Sequence, residues 1–181
     1  MQDFIAQANK NGVLLSETGP CQCCGADFEQ GIFDCMHHYQ YGLELIDFSQ
    51  AENLIYRFLS VDAHALQHPE IHGRWSNHFH LTRLNLMLEK KIRWDYQSSP
   101  VLSNYLNAYK ADRPNEILIP PAPTYRGNIT TKDFVAVSSA EACMHLIKQW
   151  AGQVYVAWQD NHALVSPIAD GFLSTKYKAQ K

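Results

Sequence analysis

The clearest pattern along the chain is helical. Leu54, Phe58, Val61 and Ala65 recur three and four residues apart, which puts them on one face of a helix. Ser49-Gln50-Ala51-Glu52 ahead of them has the form of a capping box, and Pro69 stops the segment because the residue before a proline disfavours helical geometry. A second stripe, Phe79/His80, Leu84, Met87 and Leu88, predicts a helix opening near Ser76. Lys90, Lys91 and Arg93 follow at its carboxyl end, where positive charge suits the helix dipole. Ser138-Ser139-Ala140-Glu141 reads as another capping box. It leads into Ile147, Trp150/Ala151, Val154, Trp158 and His162, with Pro167 as the limit. Weaker patterns predict a helix from about Cys35 to Asp47, another over Val101 to Lys110, and a short turn capped by Thr130 or Thr131. Strand-type alternation is almost absent. The expected fold class is therefore mainly α, a helical bundle of about four long helices.

The segments between these patterns set the expected organisation. Residues 1–20 read as a leader ending in the Gly19-Pro20 turn signal, residues 21–168 as a single domain, and residues 169–181 as a C-terminal tail. Residues 112–128 carry Pro114, Pro120, Pro121 and Pro123, which predicts an extended Pro-rich segment wrapping the surface.

Composition narrows the function classes. With 46% hydrophobic and 18% charged residues, the 181-residue chain can build a core and is not disordered. A net charge of -3 lacks the footprint of a duplex-binding protein, so no nucleic-acid partner is expected. The basic groups Lys90-Lys91-Arg93 and Lys176/Lys178/Lys181 read as a solvated helix end and a frayed tail. The N-terminus has Asp3 and only a short apolar run, unlike a secretory signal, and no stretch reaches transmembrane length. These features predict a cytoplasmic protein without a membrane partner. A homodimer is one way to cover an exposed apolar helix face.

Cysteine usage changes the picture most. In a reducing compartment disulfides are not expected, and four of the five cysteines crowd between Cys21 and Cys35. Cys21-Gln22-Cys23-Cys24-Gly25 contains Cys-x-x-Cys-Gly, a spacing at which two thiolates chelate one ion, and soft sulfur ligands favour zinc. Cys35 and His38 further along complete a spacing suited to a closed site of three cysteines and one histidine. Cys23 is out of register and reads as a bystander. The expected cofactor is zinc, held in an N-terminal knuckle.

Histidines supply the other candidates. Val61-Asp62-Ala63-His64-Ala65-Leu66-Gln67-His68-Pro69 puts Asp62 among apolar neighbours, where a carboxylate needs a histidine N–H or a metal as partner. His64 and His68 share a helix face at chelating distance, although a histidine near a helix C-terminus also serves to cap free carbonyls. His80 and His162 lie on apolar stripes, where a hydrogen-bonded core role competes with ligation. Trp150, Trp158 and Cys143 read as core. No Gly-rich phosphate loop, Gly-x-Ser-x-Gly elbow or His-Glu-x-x-His is present.

The order of these motifs resembles an uncharacterised bacterial family of unknown function. Its members start with Cys-Pro-x-Cys-Gly-Ala, carry a further Cys, then Val-Asp-Ala-Tyr-x-Leu-Gln-His-Pro, a His-Leu pair in a helix ending Leu-Glu, a Pro-Pro turn, and two tryptophans and a histidine. Here the counterparts are Cys21 to Ala26, Cys35, Val61 to Pro69, His80-Leu81 with Leu88-Glu89, Pro120-Pro121, Trp150, Trp158 and His162. His64 stands where the family has an aromatic residue, and His38 has no counterpart. The resemblance implies Cys21, Cys24, Cys35 and His68 as metal ligands, with His80 as a rival fourth, and it implies no activity.

Three functions follow as expectations. One is a helical protein whose zinc is structural. Another is a metal-dependent enzyme with an open site lined by His68, His80 and His162, oriented by Asp62. The third is a thiol redox protein using Cys21 and Cys24.

Overall fold

A computed structural model describes residues 2–178 of the chain. Among the described residues seven α-helices follow one another: α1 (Gln2–Lys10), α2 (Ile32–Glu44), α3 (Leu54–Gln67), α4 (Arg74–Leu84), α5 (Ser98–Asp112), α6 (Ala140–Ala157) and α7 (His162–Lys178). No strand forms among the described residues; a single parallel bridge joins Gly19 and Gln30. The mainly helical class expected from the sequence is the observed one. None of the described helices is long and apolar enough to cross a membrane.

The main core gathers around α3 and α6, which pack closely, with α4 also packed against α3. Leu59, Ala63 and Leu66 of α3 meet Ile147, Trp150 and Val154 of α6, Leu81 and Leu84 of α4, and Phe172 of α7 in one cluster. The Trp158 indole donates to the Leu66 carbonyl at 3.1 Å, tying the end of α6 to the end of α3. A second, smaller cluster surrounds the cysteines: Ala8, Cys21, Cys23, Cys24, Ala26, Phe28, Ile32, Cys35 and Ile71.

Several local expectations are corrected. The Ser49–Glu52 capping box does not form. The Asp47 carboxylate accepts from the Ser49 amide at 2.9 Å and from its hydroxyl at 2.6 Å, so the serine acts as a donor, and a short 3-10 turn at Ala51–Asn53 leads into α3. The second box does not form either; the cap sits one residue later, with Ser139 Oγ accepting from the Ala142 amide and nothing answering it. Thr130 does cap its turn, in a reciprocal box with Asp133. Pro167 does not end the last helix. The chain breaks earlier, at Trp158, and Pro167 sits exposed inside α7 while Val165, Ile168, Ala169 and Phe172 bury the opposite face. Burial of that stripe outweighs one missing amide on the solvent side. Residues 169–178, expected as tail, thus continue α7; Lys181 lies outside the described residues. The leader also folds: α1 sets Phe4 and Ala8 against the cysteine cluster.

Packing between α2 and the 131–136 turn is close enough to require glycine. A Cβ on Gly42 would overlap the Phe134 ring, which is fully buried beside Trp150. Replacing Gly42 by alanine is expected to cost about 1–3 kcal/mol through overpacking. Chemical denaturation measures this, and an unchanged midpoint would mean that Phe134 yields freely.

Candidate metal centre

The Cys21–Cys24 turn closes on its own backbone. The Gly25 amide donates to the Cys21 carbonyl at 2.7 Å, and the Cys21 amide to the Ala26 carbonyl at 2.8 Å. Gly25 has φ +75, a conformation that side chains disfavour, so the glycine lets the turn reverse. Cys35 lies in the second turn of α2, and His68 is the residue that terminates α3.

These four residues converge. Cys21 Sγ, Cys24 Sγ, Cys35 Sγ and one His68 ring nitrogen lie within 4.8 Å of one another, and all four residues are buried. Cys24 Sγ and Cys35 Sγ are 3.7 Å apart, and His68 Nε2 is 3.0 Å from Cys35 Sγ. A tetrahedral zinc with Zn–S bonds of about 2.3 Å puts neighbouring sulfurs roughly 3.8 Å apart, so the cysteine spacing suits such an ion. Three soft sulfurs and an imidazole are a donor set for a thiophilic divalent cation rather than for calcium or magnesium.

The surroundings orient the donors. His68 Nδ1 lies 2.7 Å from the His64 carbonyl. A carbonyl only accepts, so Nδ1 carries the proton and Nε2 faces the sulfurs. Thr131, fully buried, places its hydroxyl 2.9 Å from Cys35 Sγ. Without a cation the sulfurs cannot all ionise. The thiols of Cys23, Cys24 and Cys35 push the Cys21 thiol strongly down, and hydrogen bonding to Cys21, with burial, pushes Cys35 and Cys23 up. Burial opposes a charge on His68, but the Cys21 and Cys24 sulfurs win and raise it to about 10. A proton on Nε2 and a divalent cation are thus alternatives at one lone pair. Cys23 is no member of the donor group, yet its thiol supports Cys21.

The remaining sequence candidates sit elsewhere. His80 lies outside the donor group, with Nδ1 2.7 Å from Asp62 Oδ1. His38 stacks on Phe28, ring centroids 5.1 Å apart. His64 does not chelate with His68. It stacks between Tyr39 and His68 at 4.4 and 4.2 Å, and burial, then the neighbouring His68, hold it well below the usual histidine range. His64 is thus a neutral ring packed as an aromatic side chain would be. His162 Nε2 meets the Tyr155 carbonyl at 3.0 Å. Among the described residues, His68, His80 and His162 do not come together around a common point.

Two supporting residues escaped the sequence reading. Thr131 is one. The other is Arg126, buried at the end of the Pro-rich segment, whose guanidinium donates to the Cys23 carbonyl at 2.6 Å, the Gln67 carbonyl at 3.1 Å, the Pro121 carbonyl and the Glu70 carboxylate. Gln67 answers by donating to the Arg126 and Ile129 carbonyls. The segment expected to wrap the surface is therefore bolted to the knuckle and to α3. An arginine between Tyr125 and Gly127 carries no sequence signal for such a role.

A family of unknown function, DUF5946, matches residues 19–159. No curated protein and no solved structure matches the chain. The matched span begins just before Cys21, ends just after Trp158, and includes every donor of the cysteine–histidine group, with Thr131 and Arg126. It covers well over half of the sequence, and the chain accordingly belongs to the family of unknown function DUF5946.

Proposed function

We propose that the protein is a zinc-binding helical module in which the metal is structural. Cys21, Cys24, Cys35 and His68 are its ligands, clamping the N-terminal segment onto the end of α3. The observation that carries this reading is the convergence of three buried sulfurs and one imidazole nitrogen within 4.8 Å. Four protein donors complete a tetrahedral shell and leave no position for a reacting water, which favours a structural over a catalytic ion. A reducing compartment, the cytoplasm in the simplest case, keeps the thiols available as ligands.

Metal analysis of the purified protein tests it. About one equivalent of zinc per chain is expected. Cys21→Ser should lose it, and His162→Ala should keep it. Metal-free protein with a reversibly oxidised Cys21–Cys24 pair would favour the redox reading. A Cys21 variant that retains its zinc while His162→Ala loses it would favour an open histidine site.

A further inference from the structure

A cavity of about 540 Å³ opens between α4 and α5, apart from the cysteine cluster. Trp75, Phe79 and His80 of α4 face Ser99, Leu106 and Lys110 of α5 across it. Its size suits a small molecule.

One polar constellation is built into its wall. Asp62 is fully buried, and Arg83 grips its carboxylate from two nitrogens, Nε at 2.9 Å from Oδ2 and Nη2 at 2.6 Å from Oδ1. The arginine is itself held between the Phe58 and Phe79 rings, 5.1 and 4.9 Å from their centroids. Asp62 therefore cannot turn away from His80, whose Nδ1 lies 2.7 Å from Oδ1. A carboxylate only accepts here, so Nδ1 carries the proton and Nε2 offers a lone pair. Nε2 makes no hydrogen bond among the described residues, and His80 lines the cavity. Ser99 lines the same cavity, and its Oγ accepts from Arg83 Nη1 at 3.2 Å and from Trp94 Nε1 at 3.0 Å. With both lone pairs used, its own hydrogen is left to donate.

We propose that this cavity is a binding site for a small aromatic molecule bearing a hydroxyl group. The ring lies against Trp75, Phe79 and Leu106. Its hydroxyl donates to His80 Nε2 and accepts from Ser99. A hydroxyl does both at one atom, whereas an ether can only accept. Among the described residues lining the cavity none carries a carboxylate, Asp62 lying behind His80, and Lys110 tolerates the negative charge that a polarised hydroxyl oxygen gathers. The site is independent of the metal centre, since His80 is no member of its donor group.

Calorimetric titration of the full-length, metal-loaded protein with phenol and with anisole tests the proposal. Phenol is expected to bind at least about tenfold more tightly than anisole, which keeps the ring but has no proton to give. His80→Gln should weaken phenol by about tenfold and leave anisole unchanged. Ser103→Trp changes an exposed α5 residue at the cavity and should block both ligands by filling the space, with the thermal midpoint confirming the fold. Absence of phenol binding would overturn the proposal. So would equal affinity for the two probes, or phenol binding untouched by Ser103→Trp.

Discussion

Replacing Cys35 by serine is expected to strip the metal and to destabilise the protein by on the order of 4 kcal/mol or more, in the range reserved for lost metals and broken buried networks. Cys35 touches both donors and support. It lies 3.7 Å from Cys24 Sγ, 3.0 Å from His68 Nε2 and 2.9 Å from Thr131 Oγ1. The core around Trp150 and Trp158 has no share in those contacts, so the loss should be local at first. Hydrogen exchange should show α1, the knuckle and the start of α2 losing protection while α3 and α6 keep theirs. A strong chelator acting on the unaltered chain should give the same pattern, and Thr131→Val a weaker version with the metal retained. Uniform protection in the metal-free protein would mean that the small cluster around Cys21 holds without an ion.

The second large effect is expected at Asp62. Asp62→Ala leaves Arg83, 95% buried, without its carboxylate, and breaking a buried pair from one side costs about 3–5 kcal/mol. Changing both partners together, Asp62→Leu with Arg83→Met, should recover most of that loss, because the surrounding Phe58 and Phe79 rings accept apolar neighbours. Urea unfolding of the two single variants and the pair measures the coupling directly. Additive losses would show that the ion pair is not what holds α3 to α4 here.

The sequence carried some of these features and hid others for physical reasons. The Cys21–Cys24 pair was legible because its chelating geometry is local, set by one turn and one glycine. Spacing alone pointed to His38 as the fourth donor, and His38 instead stacks on Phe28. His68 was visible as a candidate ligand, but its pairing with the cysteines came only through the resemblance, since it meets Cys35 across the fold and not by any short-range rule. Asp62 announced itself as a carboxylate among apolar residues, but its partner Arg83 did not. An arginine near a helix end looks the same whether it faces solvent or a buried acid. The main helices were visible from their stripes, while α1, nine residues long with few apolar anchors, was not. Pro167 misled because a proline is tolerated where the missing amide would have faced water.

The position of the supporting residues along the chain bears on how the protein is made. Cys21, Cys24 and Cys35 leave the ribosome first, then His68, and only afterwards Arg126 and Thr131, which lock the site from the far end of the Pro-rich segment. In the proposed metal site, an ion met first by the three cysteines would gain its fourth ligand, His68, and the Thr131 contact later in the chain. If the site holds a metal as proposed, its capture would pass from a looser stage to a tighter one as the later residues dock. Under the proposed metal reading, the exchange of a bound ion with free metal would then report how far the site has assembled.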